Sequence, residues 1–141
     1  MNFRKINDSI SVSPQISIAD VDKIKAAGFV AIVNNRPDAE DQIQPISSDL
    51  QARALKLGLD FYHIPVSSIP SLAHVASEVA LVAKILAETN GPILFFCRTG
   101  TRSSRLWALS QLGILAEHEI IGMTARAGYD LDEFLRTVKK S

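Results

Sequence analysis

Ile93-Leu-Phe-Phe-Cys-Arg-Thr-Gly-Thr-Arg-Ser103 is the stretch that decides how this chain folds. The breaker Asn90-Gly91-Pro92 precedes it, and the compact, unalternating run Ile93 to Phe96 predicts a strand buried on both faces. From Arg102 onward Leu106, Leu109 and Leu112 recur at three-residue steps up to Gly113, which predicts a helix. Strand, loop and helix in that order belong to an open α/β sheet, where ligands sit at the carboxyl ends of the strands. Cys97 therefore falls in a site position.

The flanking sequence repeats the alternation. Upstream, Ser71 is placed to cap a long helix carrying Leu72, Val75, Val79, Val82 and Leu86 on one face and ending at Asn90-Gly91-Pro92. Phe61 to Val66 reads as a strand with Pro65 near its end, which suggests an edge or a terminus. Ser47 or Ser48 can cap a helix running to Leu57 and closed by Gly58. Phe29 to Val33 is a buried strand between Gly28 and Asn34-Asn35-Arg36-Pro37, preceded by a helix that a Ser17/Asp20 capping box opens, and Ile10 to Val12 is a further short strand. Downstream lie a helix from Glu117 to Arg126 and a terminal helix after an Asp130/Glu133 capping box. The fold class is α/β, with a mainly parallel central sheet of about four to five strands flanked by helices on both faces.

The 141 residues correspond to one domain, residues 1–141, at the usual ~100 to 200 residues per domain. Fifteen Lys plus Arg balance fifteen Asp plus Glu, so no long-range field draws in nucleic acid or an anionic membrane. Cys97 is the only cysteine, which excludes an internal disulfide, a cysteine zinc cluster and an intramolecular resolving thiol. A reducing compartment fits, and Met1 to Ile10 lacks the apolar core of a secretory signal, so the expected location is cytoplasmic. Leu72 to Ala87 is broken by His74, Glu78 and Lys84 and falls short of the ~20 apolar residues that span a bilayer. His63, His74 and His118 have no ligand spacing, so no metal or other cofactor is expected. Trp107 sits at helical steps with leucines and belongs to the core.

The loop itself carries chemistry. Gly100 frees successive N–H groups of Arg98, Thr99, Gly100 and Thr101 to face one point at the start of a helix, where the dipole favours an anion. The same field, with Arg102, favours the thiolate of Cys97 and makes it nucleophilic. Arg102 offers a planar fork to two oxygens of a tetrahedral oxyanion, and Ser103 is placed to donate to sulfur. A lone cysteine beside a strand is often a small core residue, but core packing explains neither the two arginines nor the Thr-Gly-Thr turn.

Cys97 to Ser103 resembles the cysteine-arginine loop of the cysteine phosphatases and of the rhodanese sulfurtransferases. With Ile32-Val-Asn-Asn-Arg-Pro-Asp-Ala-Glu40, Tyr62-His-Ile-Pro-Val66 and Ala127-Gly-Tyr-Asp-Leu131, the chain resembles, over nearly its whole length, the phosphatase-like domain of the beta-lactamase-hydrolase-like family. The resemblance implies a dual-specificity-phosphatase-like fold. It also implies two chemistries, since some members are fused to a persulfide-oxidising metallo-hydrolase domain that this chain lacks. Three departures from the phosphatase pattern stand out. Four residues rather than five separate Cys97 from Arg102, the commoner rhodanese arrangement; Phe96 replaces the usual histidine; and Ser67-Ser68-Ile69-Pro70 stands where a phosphatase offers a general-acid aspartate. Asp38, Glu40 and Asp41, after the strand ending near Val33, are the substitute acids to consider, and Arg36 is a second clamp or an exposed loop residue.

The leading expectation is a phosphomonoesterase working through a phosphocysteine on Cys97. The alternatives are sulfane-sulfur transfer through a Cys97 persulfide, and an idle anion-binding or partner-docking domain. The expected partner is a small anionic substrate, a phosphate ester or a sulfane-sulfur donor, and neither nucleic acid nor a membrane.

Overall fold

The computed structural model describes residues 2–139. Its elements, in order, are β1 (Arg4–Lys5), β2 (Ile10–Ser13), α1 (Ile18–Ala26), β3 (Ala31–Asn34), α2 (Ser47–Lys56), β4 (Asp60–His63), a 3₁₀ turn (Ala73–Val75), α3 (Ala76–Glu88), β5 (Ile93–Phe96), α4 (Thr101–Gln111), α5 (Glu117–Arg126) and α6 (Asp132–Lys139). The strands form one five-stranded sheet in the order β1-β2-β5-β3-β4, parallel except for the antiparallel edge strand β1. The α/β class and the mainly parallel sheet expected from the sequence are those observed. The two-residue β1 was not anticipated, because Arg4 and Lys5 are exposed and only their pairing with Val12 and Ser11 makes them a strand.

Both faces of the central strand are covered, which explains its unbroken apolar run. Ile93 and Phe95 pack with Val12, Val33, Val82, Leu106 and Trp107 on the side of α3 and α4. Leu94 and Phe96 point the other way, into a second cluster with Ile24, Ile32 and Leu50 beneath α1 and α2. Trp107 is fully buried, as its helical spacing predicted. Among the described residues, no helix is long and apolar enough to cross a membrane, and no three histidine, cysteine or acidic side chains are grouped to hold a metal ion.

Register positions the site. Ser13, Phe96, Asn34 and His63 end their strands side by side, because Phe96 pairs with both Ser13 and Asn34, and Asn34 pairs with His63. The next residue of each strand therefore emerges along one edge, Cys97 beside Asn35.

Helix starts show where local spacing suffices. Ser17 and Asp20 form the reciprocal box expected, the Asp20 N–H donating to Ser17 Oγ at 3.1 Å and the Ser17 N–H to Asp20 Oδ2 at 2.9 Å. At α2 neither Ser47 nor Ser48 is the cap; the Ser47 N–H donates instead to Asp38 Oδ1 at 2.9 Å. Ser71 accepts the His74 N–H at 3.3 Å and so opens the 3₁₀ turn rather than α3 itself. The Asp130/Glu133 box does not form, since α6 begins only at Asp132, whose own N–H donates to Asp130 Oδ1 at 3.2 Å. Losing a helix cap typically costs ~1 kcal/mol, so Asp38→Ala should lower the unfolding free energy by about that much and the urea midpoint by about 0.3–1 M. Its turnover should survive, as a side-by-side denaturation and rate measurement will show.

Candidate active site

Cys97 leaves the carboxyl end of β5 and is 1% exposed, at the floor of the loop. The Gly100 N–H donates to Cys97 Sγ at 3.1 Å, so a backbone dipole points at the sulfur. Gly100 holds this turn with φ +96°, which a side chain rarely adopts, and a Cβ there would collide with the Tyr129 hydroxyl. That hydroxyl donates to the Thr99 carbonyl at 3.2 Å, and on the other side the Gln15 N–H donates to the Arg98 carbonyl at 3.2 Å. Burial raises the Tyr129 pKa and so keeps the phenol protonated and able to donate. The loop is thus braced from two sides. Neither Gln15 nor Tyr129 was singled out as a site residue, although Tyr129 stands in one of the stretches that carry the family resemblance.

Thr101 is the first residue of α4, and Arg102, on its first turn, is 16% exposed through its side chain. Its fork is occupied. Nη1 donates to Glu40 Oε2 and Nη2 to Glu40 Oε1, each at 2.8 Å, while Nη1 also donates to the Val66 carbonyl at 2.8 Å. Glu40 is shared with Arg36, whose Nε donates to Oε1 at 2.9 Å and whose Nη1 donates to Gln15 Oε1 at 3.0 Å. Arg36 is only 4% exposed, so of its two expected roles the exposed loop residue is excluded. It clamps Glu40 through Nε and holds Gln15 through Nη1.

The hydrogen bonds from Arg102 lower the Glu40 pKa to about 2, against desolvation and with help from Arg36. They also raise the already high pKa of Arg102, with the Cys97 sulfur acting in the same direction. Because the folded-state value lies below the ~4.3 of a free glutamate, this contact adds stability above that pH and loses it as pH falls through about 2. Glu40 is consequently ionised throughout the neutral range and has no proton to give while it sits on Arg102.

Asp38, Asp41 and Ser103 are engaged elsewhere. Asp38 spends Oδ1 on the Ser47 N–H, and Asp41 spends Oδ1 on the Gln42 N–H at 2.8 Å in an exposed part of the loop. Ser103 does not donate to sulfur: it is fully buried and its hydroxyl donates to Asn35 Oδ1 at 2.8 Å. Asn35 in turn donates to the Ile64 carbonyl at 3.0 Å, and His63 Nε2 lies 2.8 Å from the Arg36 carbonyl oxygen. The run Asn34-Asn35-Arg36 is a polar row buried at the sheet edge, where every group must find a partner. That polar row after an apolar strand was the signal for Asn35 and went unused. Thr99 and Thr101 join their hydroxyls at 3.2 Å, and Arg98 is exposed.

Above the loop lies an open cleft of about 640 Å³. Its walls include Ser67, Ser68, Arg98, Arg102 and Arg105, and among the described residues Glu40 is its only carboxylate. A cysteine that accepts the Gly100 N–H, an arginine fork already holding a carboxylate, and a cationic mouth together suit a small oxyanion.

The model of the beta-lactamase hydrolase-like protein, phosphatase-like domain, matches residues 2–114. The chain belongs to that phosphatase-like family. It is 31% identical over 133 residues, 93% of its length, to a beta-lactamase hydrolase-like protein of Agrobacterium fabrum, and 28% identical over 142 residues to one of Xylella fastidiosa (strain Temecula1). It spans about a third of the length of these relatives, 30% and 32%. Among solved structures, a candidate phosphatase of Neisseria meningitidis Z2491 matches with a TM-score of 0.83 and 30% identity, covering 99% of this chain and 98% of that one. Tk-PTP, at TM-score 0.72 and 19% identity, covers 98% of this chain and 93% of its own, and human DUSP28, at 0.64 and 17%, covers 99% and 94%; these two establish the cysteine-phosphatase fold. The phosphatase-like family thus supplies the fold expected from the loop, and it favours phosphatase-like over sulfur-transfer chemistry.

Glu40 occupies the Arg102 fork that an oxyanion would need. Glu40→Gln should tighten inorganic phosphate binding several-fold, up to about ten-fold, by freeing the Arg102 fork. The same change should cost stability, roughly 1–3 kcal/mol, because Arg36 loses its counter-ion; the cost stays below the ~3–5 of a fully buried pair since Glu40 is 26% exposed. Titration calorimetry beside thermal denaturation measures both, and weaker phosphate binding would mean that Glu40 positions Arg102 rather than competing with the ligand.

Proposed function

We propose that this chain hydrolyses phosphomonoesters through a phosphocysteine on Cys97. What supports the reading most is the carboxylate of Glu40 held by both arms of the Arg102 fork, whose guanidinium also interacts with the Cys97 sulfur, since a bound oxyanion would take that fork. On substrate binding the phosphate takes the fork, and Glu40 stays with Arg36. Cys97 Sγ attacks phosphorus in line, the P–O bond to the leaving group breaks, and the leaving oxygen takes its proton from water. Arg102 and the loop N–H groups neutralise the charge on the equatorial oxygens. Water then attacks the phosphocysteine, the S–P bond breaks, and inorganic phosphate leaves with the thiolate restored.

Without a neutral carboxylic acid in the cleft, the enzyme depends on the leaving group. Aryl phosphates, whose phenolate departs readily, should be cleaved ~10²- to 10⁴-fold faster than alkyl phosphates, the typical worth of a general acid. Equal rates on the two classes would reveal a proton donor elsewhere. The decisive experiment is intact mass after an acid quench of turnover with an aryl phosphate, where Cys97 should gain one phosphoryl group. Gain of one sulfur from thiosulfate, with no phosphoryl adduct, would overturn the proposal in favour of a persulfide enzyme.

A further inference from the structure

The hydrolytic reading uses one arginine, yet the cleft carries three. Arg105 lies three residues after Arg102 on α4, a spacing that puts both on one helical face, and Arg98 projects from the loop below them. Glu40 is the only carboxylate in the cleft among the described residues and is consumed by Arg102 and Arg36. Among the described residues the Arg98 side chain has no hydrogen-bond or ion-pair partner. Arg105 lies over the Phe134 ring, its Cζ 4.6 Å from the centroid, and its Nε is buried without an acceptor. Asp130 and Glu133 line the adjoining hollow with Arg105 but make no ion pair with it. Stacking holds the Arg105 fork in place without spending its charge. Two guanidiniums without an ion-pair partner among the described residues thus lie beside Arg102 in a cleft that Ser67 and Ser68 also line.

We propose that the substrate is a phosphomonoester carrying a second anionic group, a phosphate or a carboxylate, which Arg98 and Arg105 bind while Arg102 holds the reacting phosphate; this rests on the hydrolytic reading of Cys97. The second group contributes to binding more than to the chemical step, so its effect falls mainly on KM. The exposed Arg98 guanidinium is screened by salt, and the preference shrinks as ionic strength rises.

The test compares phenyl phosphate, 4-carboxyphenyl phosphate and 1,4-phenylene bisphosphate on the wild-type chain and on Arg98→Gln/Arg105→Gln. Leaving-group differences are the same in both proteins, so a change in the kcat/KM ratio between substrates reports the arginines. The ratio in favour of the doubly anionic substrates should drop by about ten-fold in the double variant, whatever its overall rate. The substrate with the larger drop identifies the second group as phosphate or carboxylate. A ratio that does not move overturns the proposal. If the double variant is unstable, Arg98→Gln alone, at an exposed side chain, replaces it and should lose part of the ratio. A parallel arm needs no turnover: calorimetry on Cys97→Ser with phenylphosphonate and 1,4-phenylenebisphosphonate, with and without the two arginines. An arginine-dependent preference there, with no hydrolysis of any ester by the wild type, would sink the hydrolytic reading and keep the subsite; no preference in either arm sinks the subsite.

Discussion

Cys97→Ser should abolish phosphomonoester turnover, by roughly 10⁴-fold or more, while leaving the fold in place. The side chain is 1% exposed and accepts the Gly100 N–H, with Arg102 also bonded to the sulfur, roles that a serine oxygen fills in the same space. A hydroxyl is a far weaker nucleophile than a thiolate, and no base stands beside it: Glu40 is committed to two arginines and Ser103 to Asn35. The variant should therefore still bind inorganic phosphate and melt close to the wild type, with no phosphoryl adduct by mass. Residual turnover within a hundred-fold of the wild type would remove Cys97 from the chemistry altogether.

Arg102→Lys should lower turnover by roughly 10²- to 10³-fold, the usual effect of removing one preorganised donor from a developing oxyanion. Phosphate binding should weaken by about ten-fold or more, since an ammonium keeps the charge but cannot grip two oxygens in one plane. The arginine presently makes three directed bonds, two to the Glu40 carboxylate and one to the Val66 carbonyl, and a lysine can satisfy them only by giving up the fork. Stability should fall less than activity, because Glu40 keeps Arg36. Calorimetry and initial rates on the same preparation separate the two effects. Unchanged phosphate affinity would mean that Arg102 never leaves Glu40.

What could be read from the sequence was local. The β5 run, the helix behind it and the Ser17/Asp20 box each depend on residues within a few positions of one another, and they stand as read. Cys97 and Arg102 could be paired as candidates for the same reason: they lie five residues apart, across the turn that opens α4. What escaped was every contact closed by the fold. Arg102 meets Glu40 across 62 residues, Ser103 meets Asn35 across 68, and Asp38 caps α2 from nine residues upstream. Nothing in the spacing of Asp38, Glu40 and Asp41 says which of three acids in one loop reaches an arginine on another strand's helix. The burial of Arg36 was hidden likewise, since its two partners come from separate segments.

Tyr129 gives these contacts a consequence for where the catalytic unit ends. The family match stops at residue 114, after α4, so a border drawn there would keep Cys97, Arg102 and every other loop residue. It would also remove the phenol that fills the space beside Gly100 and holds the Thr99 carbonyl. The segment that shapes the thiol's cradle is thus not the segment that carries the thiol. An excised piece that looks complete by its motif would hold a cysteine loop with one of its two walls missing, and any transplant of this loop to another scaffold has to bring the tyrosine along.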